Sequence, residues 1–593
     1  MVRPAQTARS ERTREALRQA AVVRFLAQGV EDTSAEQIAA DAGVSLRTFY
    51  RHFASKHDLL FADYDAGLCQ PQPMTDFDAI VVGAGHNGLT AAALMQQAGL
   101  RTLCLDSKLY AGGMASTVEL FDGYRFEIAG SVQVPTSAAV SRALGLDDLP
   151  TVDLEVMSVQ LRGIGDDPVI YYTDPMKLLT HLNEVHGAEA VNGMAGLMAW
   201  CQAPTRALGR FDAALPPRTL DEMYACATNE FERQAISDML FGSVSDVLDR
   251  YLPDREKHGA LRGMLAFLAV NTTYRGPATP GSAAALAFGL AVPDENATLI
   301  TKFRGGMGAV TEHLLGMFTA AGGELRLRSK VEGIVVGDGR VTGVRLDDGS
   351  MLSAPVVVSG VAPDLTVNSL IDPAAIPPDI RERFSHIDHR GSYLQMHFAL
   401  DGPPTFAEPY EVLNDPRYQS AIGIFTTPED LQQQWEDSRR GVVPVDPAIA
   451  LQIPSANDPG LAPPGKHAVS AFSLWFPIEH GESSYGDIKA EMGRNVIEKI
   501  TSLAPDFESL ILRHTTFTPK HMGTMFGAPG GDYCHGLIHP EQMGPNRPGP
   551  KGFVDQPVPI DGLYLASAGC HGGPGITFIP GYNAAQQVLA DRS

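Results

Sequence analysis

Along the first sixty residues apolar positions recur with the period of a helix. Leu17, Ala20, Ala21 and Phe25 share one face of a stretch from Ser10 to Gln28, which Gly29 ends. Ser34, with Gln37 three residues on, has capping-box spacing and opens a second helix whose buried side is Ile38-Ala39, before Ala42-Gly43-Val44 turns the chain. A third helix, Ser45 to Phe53, sets Phe49 and Phe53 inward and Arg47, Thr48, Tyr50 and Arg51 outward. The pattern then changes. Ala79-Ile80-Val81-Val82 is the continuous apolar run of a buried parallel strand, Leu89 to Ala98 is a good helix former stopped by Gly99, and Arg101 to Asp106 reads as a second strand. Lys302 to Ala309 opens a further helix, Gly322–Arg328 and Val331–Val336 alternate as strands, and Val341–Leu346 pairs back across Gly337-Asp338-Gly339. Pro355–Gly360 returns to the parallel sheet, and Asp561–Gly569 is a strand entering a glycine turn, with a last helix from about Tyr582 to Ala590. Between these lie Leu240-Phe241, Val244, Val247-Leu248 and Tyr251 at helical spacing, read as core rather than pocket lining.

The glycines give this pattern its chemistry. Gly83, Gly85 and Gly88 follow the first strand as GxGxxG: the first makes a tight turn, the second lets backbone approach a pyrophosphate, and the third lets helix pack on strand. The helix N-terminus offers free N–H groups and a positive dipole end to that anion. Asp106 lies 23 residues after Gly83, where a carboxylate accepts hydrogen bonds from the adenosine ribose. The continuation Ser107 to Ser116, with Gly112-Gly113-Met114, resembles the glycine-pair segment that carries the backbone along the flavin in amine oxidases and phytoene desaturases, which favours FAD over NAD. Near the other end, Gly569 and then Gly572-Gly573-Pro574-Gly575-Ile576 would supply N–H groups to the side of a flavin where negative charge develops on reduction. The expected cofactor-binding residues are Gly83, Ala84, Gly85, Asn87, Gly88, Asp106, Ser107, Gly112, Gly113, Met114, Gly569, Gly575 and Ile576.

The leading helices have a helix-turn-helix layout. Gly43-Val44-Ser45 with Thr48 to Lys56 and Leu59-Leu60 resembles the DNA-binding head of TetR-type repressors. That resemblance implies Ser45, Arg47, Thr48 and Tyr50 facing a major groove, with His52 and Lys56 near phosphates. It stops near Asp65, and no all-helical dimerisation domain follows, so weak DNA binding by a single reader is expected. Met74 looks like the natural start of a free-standing enzyme: either two genes are fused, or the reading frame begins too far upstream.

Charge separates the two parts. Residues 1–56 carry nine Lys and Arg against six Asp and Glu, whereas the whole chain of 593 residues has a formal net charge of −23. The acidic body would repel nucleic acid, and only the leading segment could attract it. With 44% apolar residues the chain holds packed cores and two or more domains. No run of about 18 apolar residues occurs, so a spanning helix is not expected, while peripheral membrane contact stays open. The six cysteines form no CxxC pair, which argues against zinc and redox dithiols and suits a reducing, cytoplasmic setting with no metal site.

From Met74 onward the chain resembles the phytoene desaturase superfamily of FAD oxidoreductases, on Val82 to Leu89, Gly305-Gly306-Met307-Gly308, Gly530 to Gly536 and Leu563 to Gly569. The resemblance implies an α/β (α+β overall) glutathione-reductase-like FAD-binding fold with a substrate domain, preceded here by the small all-α head. It divides the chain into a head (1–66), a linker (67–75), a discontinuous FAD-binding domain (76–135, 297–365 and 540–593) and a substrate domain (136–296 and 366–539). It puts Val331 near the adenine and implies hydride exchange with an apolar, isoprenoid- or carotenoid-like substrate by desaturation, saturation or oxidation, with an unidentified electron acceptor. The segment Gly569 to Gly575 departs from the Thr-His-Pro-Gly-like run of desaturases, so their substrate does not carry over. His571 is the catalytic candidate, with His535 and Tyr582 behind it; Cys570 does not resemble a flavinylation site, so FAD is expected to be non-covalent. Two rivals remain: a flavin amine oxidase with Phe578 and Tyr582 flanking the amine, and a flavin-sensing regulator acting through the head.

Overall fold

A strand whose side chains are buried in both directions must lie inside a covered sheet, and all four residues of Ala79–Val82 are buried. It pairs in parallel with Thr102–Leu105 on one side and Val357–Ser359 on the other; Glu324–Arg326 and Leu563–Leu565 complete five parallel strands. Segments near 80, 325, 358 and 564 therefore meet in one sheet. The computed structural model describes residues 33–53 and 77–592, apart from 132–133, 163–167, 214, 294–299 and 481–482, together with Thr13, Ala16, Leu17, Ala20, Ala21 and Arg24. Phe25, Lys56 and the linker 67–75 lie outside the described residues.

Alternation along the first strand divides the core in two. Ala79 and Val81 point toward the helices His86–Gln97, Met307–Ala320 and Ile579–Arg592, in one cluster with Met95, Val310, Leu314, Phe318 and Ile579. Ile80 and Val82 point the other way, toward the antiparallel strands Val331–Gly337 and Arg340–Leu346 and the helices Pro363–Ser369 and Pro378–Ser385. Asp338 and Gly339, both at positive φ, make the turn between those strands.

The apolar faces carry this layer beyond the edges drawn from the sequence. Val140, Leu144 and Leu146 join the first cluster, and Val367, Ile371, Ile376, Ile380 and Phe384 join the second. These short amphipathic segments bury their apolar sides against the five-stranded sheet, so the layer runs past residue 135 and past residue 365.

Over it stands a seven-stranded mixed sheet in the order Ile511–Phe517, Tyr393–Leu400, His467–Leu474, Ile449–Gln452, Ile422–Phe425, Val156–Arg162, Val169–Tyr172. Helix Tyr485–Leu503 covers one face through Ile488, Met492, Val496 and Ile500. A helical cap forms the largest apolar cluster among the described residues, with Pro175–Leu208, Glu230–Phe241, Val244–Tyr251, Gly259–Val270 and Ala283–Leu290 around Trp200. Val244, Val247 and Leu248 are core as expected; Phe241 is 69% exposed, because the chain breaks at Gly242 and restarts on the Ser243–Asp246 capping box.

In the head, helices Ala35–Asp41 and Leu46–His52 are capped by Ser34 and Ser45. Ser34 and Gln37 make the reciprocal box. Leu17, Ala21, Ile38, Ala39, Phe49 and Phe53 form its core, which shares no residue with the other clusters. A chain beginning at Met74 is therefore expected to fold with an unchanged thermal midpoint for its main transition, as calorimetry reads it. A midpoint lowered by several degrees would show the head to be integral to the body.

Candidate functional site

The leading glycine turn is built by contact as much as by conformation. Gly83 has φ +95°, and a methyl on Gly88 would collide with the Gly83 carbonyl oxygen, so only glycine lets helix and strand approach this closely. Gly85 caps the helix without any side-chain hydrogen bond, and a methyl there would meet nothing within 4 Å. The helix thus presents uncapped N–H groups to open space, the feature an anion requires. Gly112 N–H donates to the Ala84 carbonyl at 2.7 Å, and Gly113 (φ +59°) lies so that a methyl would stand 3.4 Å from the Gly85 Cα. The glycine pair is laid directly against the turn. Asp106 accepts the N–H groups of Ala84 at 2.7 Å and Lys108 at 2.8 Å; burial raises its carboxyl above the ordinary range despite them. Ser107 is exposed, Met114 half-buried, and Val331 buried at the start of its strand.

The closing segment returns to the same place. Arg547, 4% exposed, ties it down by donating to the carbonyls of Ala568 at 2.8 Å, Gly536 at 3.1 Å and Cys570 at 3.2 Å. Gly569 packs so tightly that a methyl would strike the His535 carbonyl, whereas Gly575 is exposed inside an otherwise buried run from 571 to 581. Ile576 is buried beside it. Gly581 N–H reaches Asn87 Oδ1 at 3.3 Å, so the Asn87 side chain joins the helices His86–Gln97 and Ile579–Arg592. His571 is buried beneath the loop, and burial followed by the Arg547 charge pushes its imidazole down to about 4. Phe578 is fully buried and packs edge-on against His86 at 5.7 Å, so it does not form an exposed aromatic cage with Tyr582.

These residues fit a flavin dinucleotide. Gly83, Gly85, Gly113, Met114 and Gly575 keep accessible surface in largely buried stretches, and they come from the segments the motifs singled out. Cys570 is buried, and burial pushes its thiol up to about 12. Gly305 to Gly308, by contrast, is closed off. Glu127 accepts the N–H of Met307 at 2.9 Å, Thr117 that of Gly308 at 2.9 Å, and Asp458 that of Gly305 at 2.6 Å. Those partners lie some 150 to 190 residues away in the chain, so spacing alone could not reveal them.

Gly530 to Gly536 hides a second feature missed from the sequence. Asp532, 1% exposed, accepts the N–H groups of Cys534 at 2.7 Å and Gly536 at 2.6 Å. Its other neighbour is His389, held between Asp532 at 3.2 Å and Asp364 at 3.1 Å. Burial alone would depress the imidazolium, but the two carboxylates outweigh it and raise the group to about 9. His535 takes φ +54° and is held neutral near 4 by burial. His86 is likewise near 4, through burial and the proximity of His535. Among the described residues no three His, Cys, Asp or Glu side chains are placed to hold a metal ion, and no helix is long and apolar enough to cross a membrane.

In the head, Arg47, Tyr50 and Arg51 are exposed on the third helix. Ser45 and Thr48 are engaged with each other: the Ser45 hydroxyl accepts the Thr48 N–H at 3.2 Å and lies 2.9 Å from its hydroxyl. His52 is half-buried.

Comparisons with known proteins agree with this geometry. A family model for bacterial regulatory proteins of the tetR family matches residues 17–62, and one for an NAD(P)-binding Rossmann-like domain matches residues 81–144. The mouse (Mus musculus) pyridine nucleotide-disulfide oxidoreductase domain-containing protein 2 is 28% identical, over 87% of this chain and 94% of its own length. The lycopene-forming phytoene desaturase of Pseudescherichia vulneris is 24% identical over 86% of this chain and 98% of its own. A solved putrescine oxidase shares the fold, with a TM-score of 0.56 and 18% identity over 88% of this chain and all of that one. Fold and site together define a flavin-dependent oxidoreductase of the Rossmann type with a TetR-type segment in front. More particularly, the chain is a homologue of pyridine nucleotide-disulfide oxidoreductase domain-containing protein 2 and of the phytoene desaturases.

The buried histidines make stability depend on pH in two separate windows. His389, raised from 6.5 to about 9, stabilises the fold fully below pH 6.5 and loses that contribution as pH rises through 9. His86 and His571, depressed from 6.5 to about 4, stabilise it above pH 6.5 and lose that contribution as pH falls through 4. Urea midpoints measured across pH should therefore fall on both sides, and His389→Gln should flatten the alkaline limb alone. An unchanged alkaline limb in that variant would remove His389 as its source.

Proposed function

We propose that this chain holds FAD non-covalently between its leading and closing glycine turns, and that it exchanges a hydride with an apolar, isoprenoid-like substrate in the cytoplasm. The observation that carries the substrate class is an apolar wall joining the two domains. Met114 and Ala129, beside the glycine pair, belong to one cluster with Tyr393, Phe472, Phe526 and Tyr533 of the substrate domain. Tyr393 stacks on Phe472 with centroids 5.6 Å apart, Tyr533 meets both edge-on, and Phe267 of the cap meets Phe472 at 6.3 Å. Their polar tips are satisfied elsewhere: Tyr393 donates to the Gly531 carbonyl and Tyr533 to that of Asn271. Burial raises both phenols well above 10, so they present neutral rings.

When bound, FAD supplies two-electron hydride chemistry. The protein's part is positional. The uncapped helix at Gly85 binds the pyrophosphate, Arg547 fixes the closing loop, and the aromatic wall excludes water and aligns an apolar chain. The buried His571 and His535 are held neutral near 4 and are not cationic at neutral pH. For the head, the exposed Arg47, Tyr50 and Arg51 support weak, salt-sensitive DNA contact by a single reader.

Purified protein should be yellow and release FAD on acid precipitation. Gly85→Val should fold, since nothing stands within 4 Å of the new Cβ, yet arrive without flavin; Gly88→Ala should instead cost roughly 1–3 kcal/mol or more by forcing helix from strand. A Gly85→Val protein with full FAD content would refute this placement. The substrate class is tested by anaerobic flavin reduction: detergent-dispersed isoprenoids should reduce or reoxidise the flavin, and putrescine and other small hydrophilic amines should not. Fast reduction by amines alone would make the amine oxidase reading the correct one.

A further inference from the structure

Three arginines among the described residues are buried to 5% exposure or less, and the terminal nitrogens of two of them are held by a carboxylate or by several carbonyls, although Nε of Arg262 has no partner. Arg262 pairs with Asp249 at 2.7 Å and donates to the Leu252 carbonyl at 2.7 Å, and Arg547 is held by the carbonyls described above. Arg210 is different. Helix Pro175–Leu208 ends on Gly209 in the left-handed conformation, and the next residue turns its side chain inward, to 5% exposure. Its guanidinium lies 3.8 Å from the centroid of the Phe288 ring, and Nη1 donates to the Phe288 carbonyl at 2.7 Å. Nε has no partner, and no carboxylate among the described residues lies within salt-bridge distance. A buried cation without an anion is costly and is tolerated where a ligand supplies the missing charge. Burial and the like charge of Arg547 push it down to about 9, which still leaves it protonated at neutral pH.

Its position says where that ligand sits. A methyl on Gly575, the one exposed residue of the buried closing run, would stand 4.0 Å from Nη2. The edge carrying the orphaned Nε together with Nη2 matches the two oxygens of a carboxylate. A diphosphate would need further cations, and Arg547 is already saturated by carbonyls. We propose that Arg210 anchors an oxyanion at the closing loop, and that this oxyanion is the carboxylate of an otherwise apolar substrate. The inference rests on the flavin reading above and narrows its substrate from hydrocarbons to apolar acids.

The test uses the full chain as purified with FAD. Perturbation of the flavin absorbance is titrated with decanoate and with decanol, which share the apolar chain and differ in charge. Decanoate should bind about tenfold or more tightly than decanol, in line with a charge-assisted pair. Arg210→Gln should remove that preference, and Arg210→Lys should keep part of it, each with wild-type FAD content. Equal binding of the two probes by the wild-type protein overturns the proposal even if no variant folds. A preference that survives in Arg210→Gln, or an unchanged preference with a lowered flavin midpoint potential, overturns it too, the latter by assigning the anion to the cofactor. Absence of FAD from the wild-type protein would instead sink the flavin reading and is seen before any titration.

Discussion

Everything in the body depends on one close approach: the helix His86–Gln97 can leave the strand Ala79–Val82 only because residue 88 has no side chain to meet the Gly83 carbonyl. That contact puts the helix N-terminus at the end of a central parallel strand, where ligands of open α/β sheets gather. It also leaves the terminus uncapped at Gly85. Several other long helices here are capped by Asp, Asn, Thr or Ser side chains, as at Asp174, Asn229, Thr427 and Ser484. A first turn without such a cap, in an otherwise buried corner, is stable only with an external acceptor for its N–H groups.

A second constraint follows from chain order. The sheet is completed by Leu563–Leu565, nearly 500 residues after its first strand, so the two ends of the body must be locked together. Gly581 resting on Asn87, with its N–H on the Asn87 side chain, is that lock, and Arg547 holds the loop before it. The intervening residues are free to form the mixed sheet and helical cap, which close over the glycine turns. The closing loop, Gly569 to Ile576, is thereby held against the first helix of the body.

Local signals in the sequence carried the first part of this far. Gly83, Gly112 and Gly575 all take positive φ, and the Ser34–Gln37 box forms as its spacing requires; each is a backbone demand written within a few residues. What stayed hidden joins distant positions. Glu127 closing the Met307 helix, His389 between Asp364 and Asp532, and the solitary charge of Arg210 depend on partners, or on their absence, that only folding decides. Asn87 carries a long-range role that its motif does not show: its side chain accepts the Gly581 N–H from the last helix. Short amphipathic helices likewise look alike whichever sheet they cover, so the packing of Val140 and Leu144, or of Ile380 and Phe384, is not written in the local pattern.

Charge at the surface and charge at the site act on different scales. The body is strongly acidic, so a free anion is repelled at long range, but salt screens that field within about 8 Å at physiological ionic strength. An apolar acid gains roughly 25 cal/mol for each Å² of chain that it buries, which draws it in against the residual field. In the proposed reading Arg210 would act only at the end of that path, where burial removes the screening and no carboxylate among the described residues pairs with its guanidinium. On the proposed reading, the apolar wall would set how tightly a chain is held, and the buried arginine would set which end of it meets the closing loop.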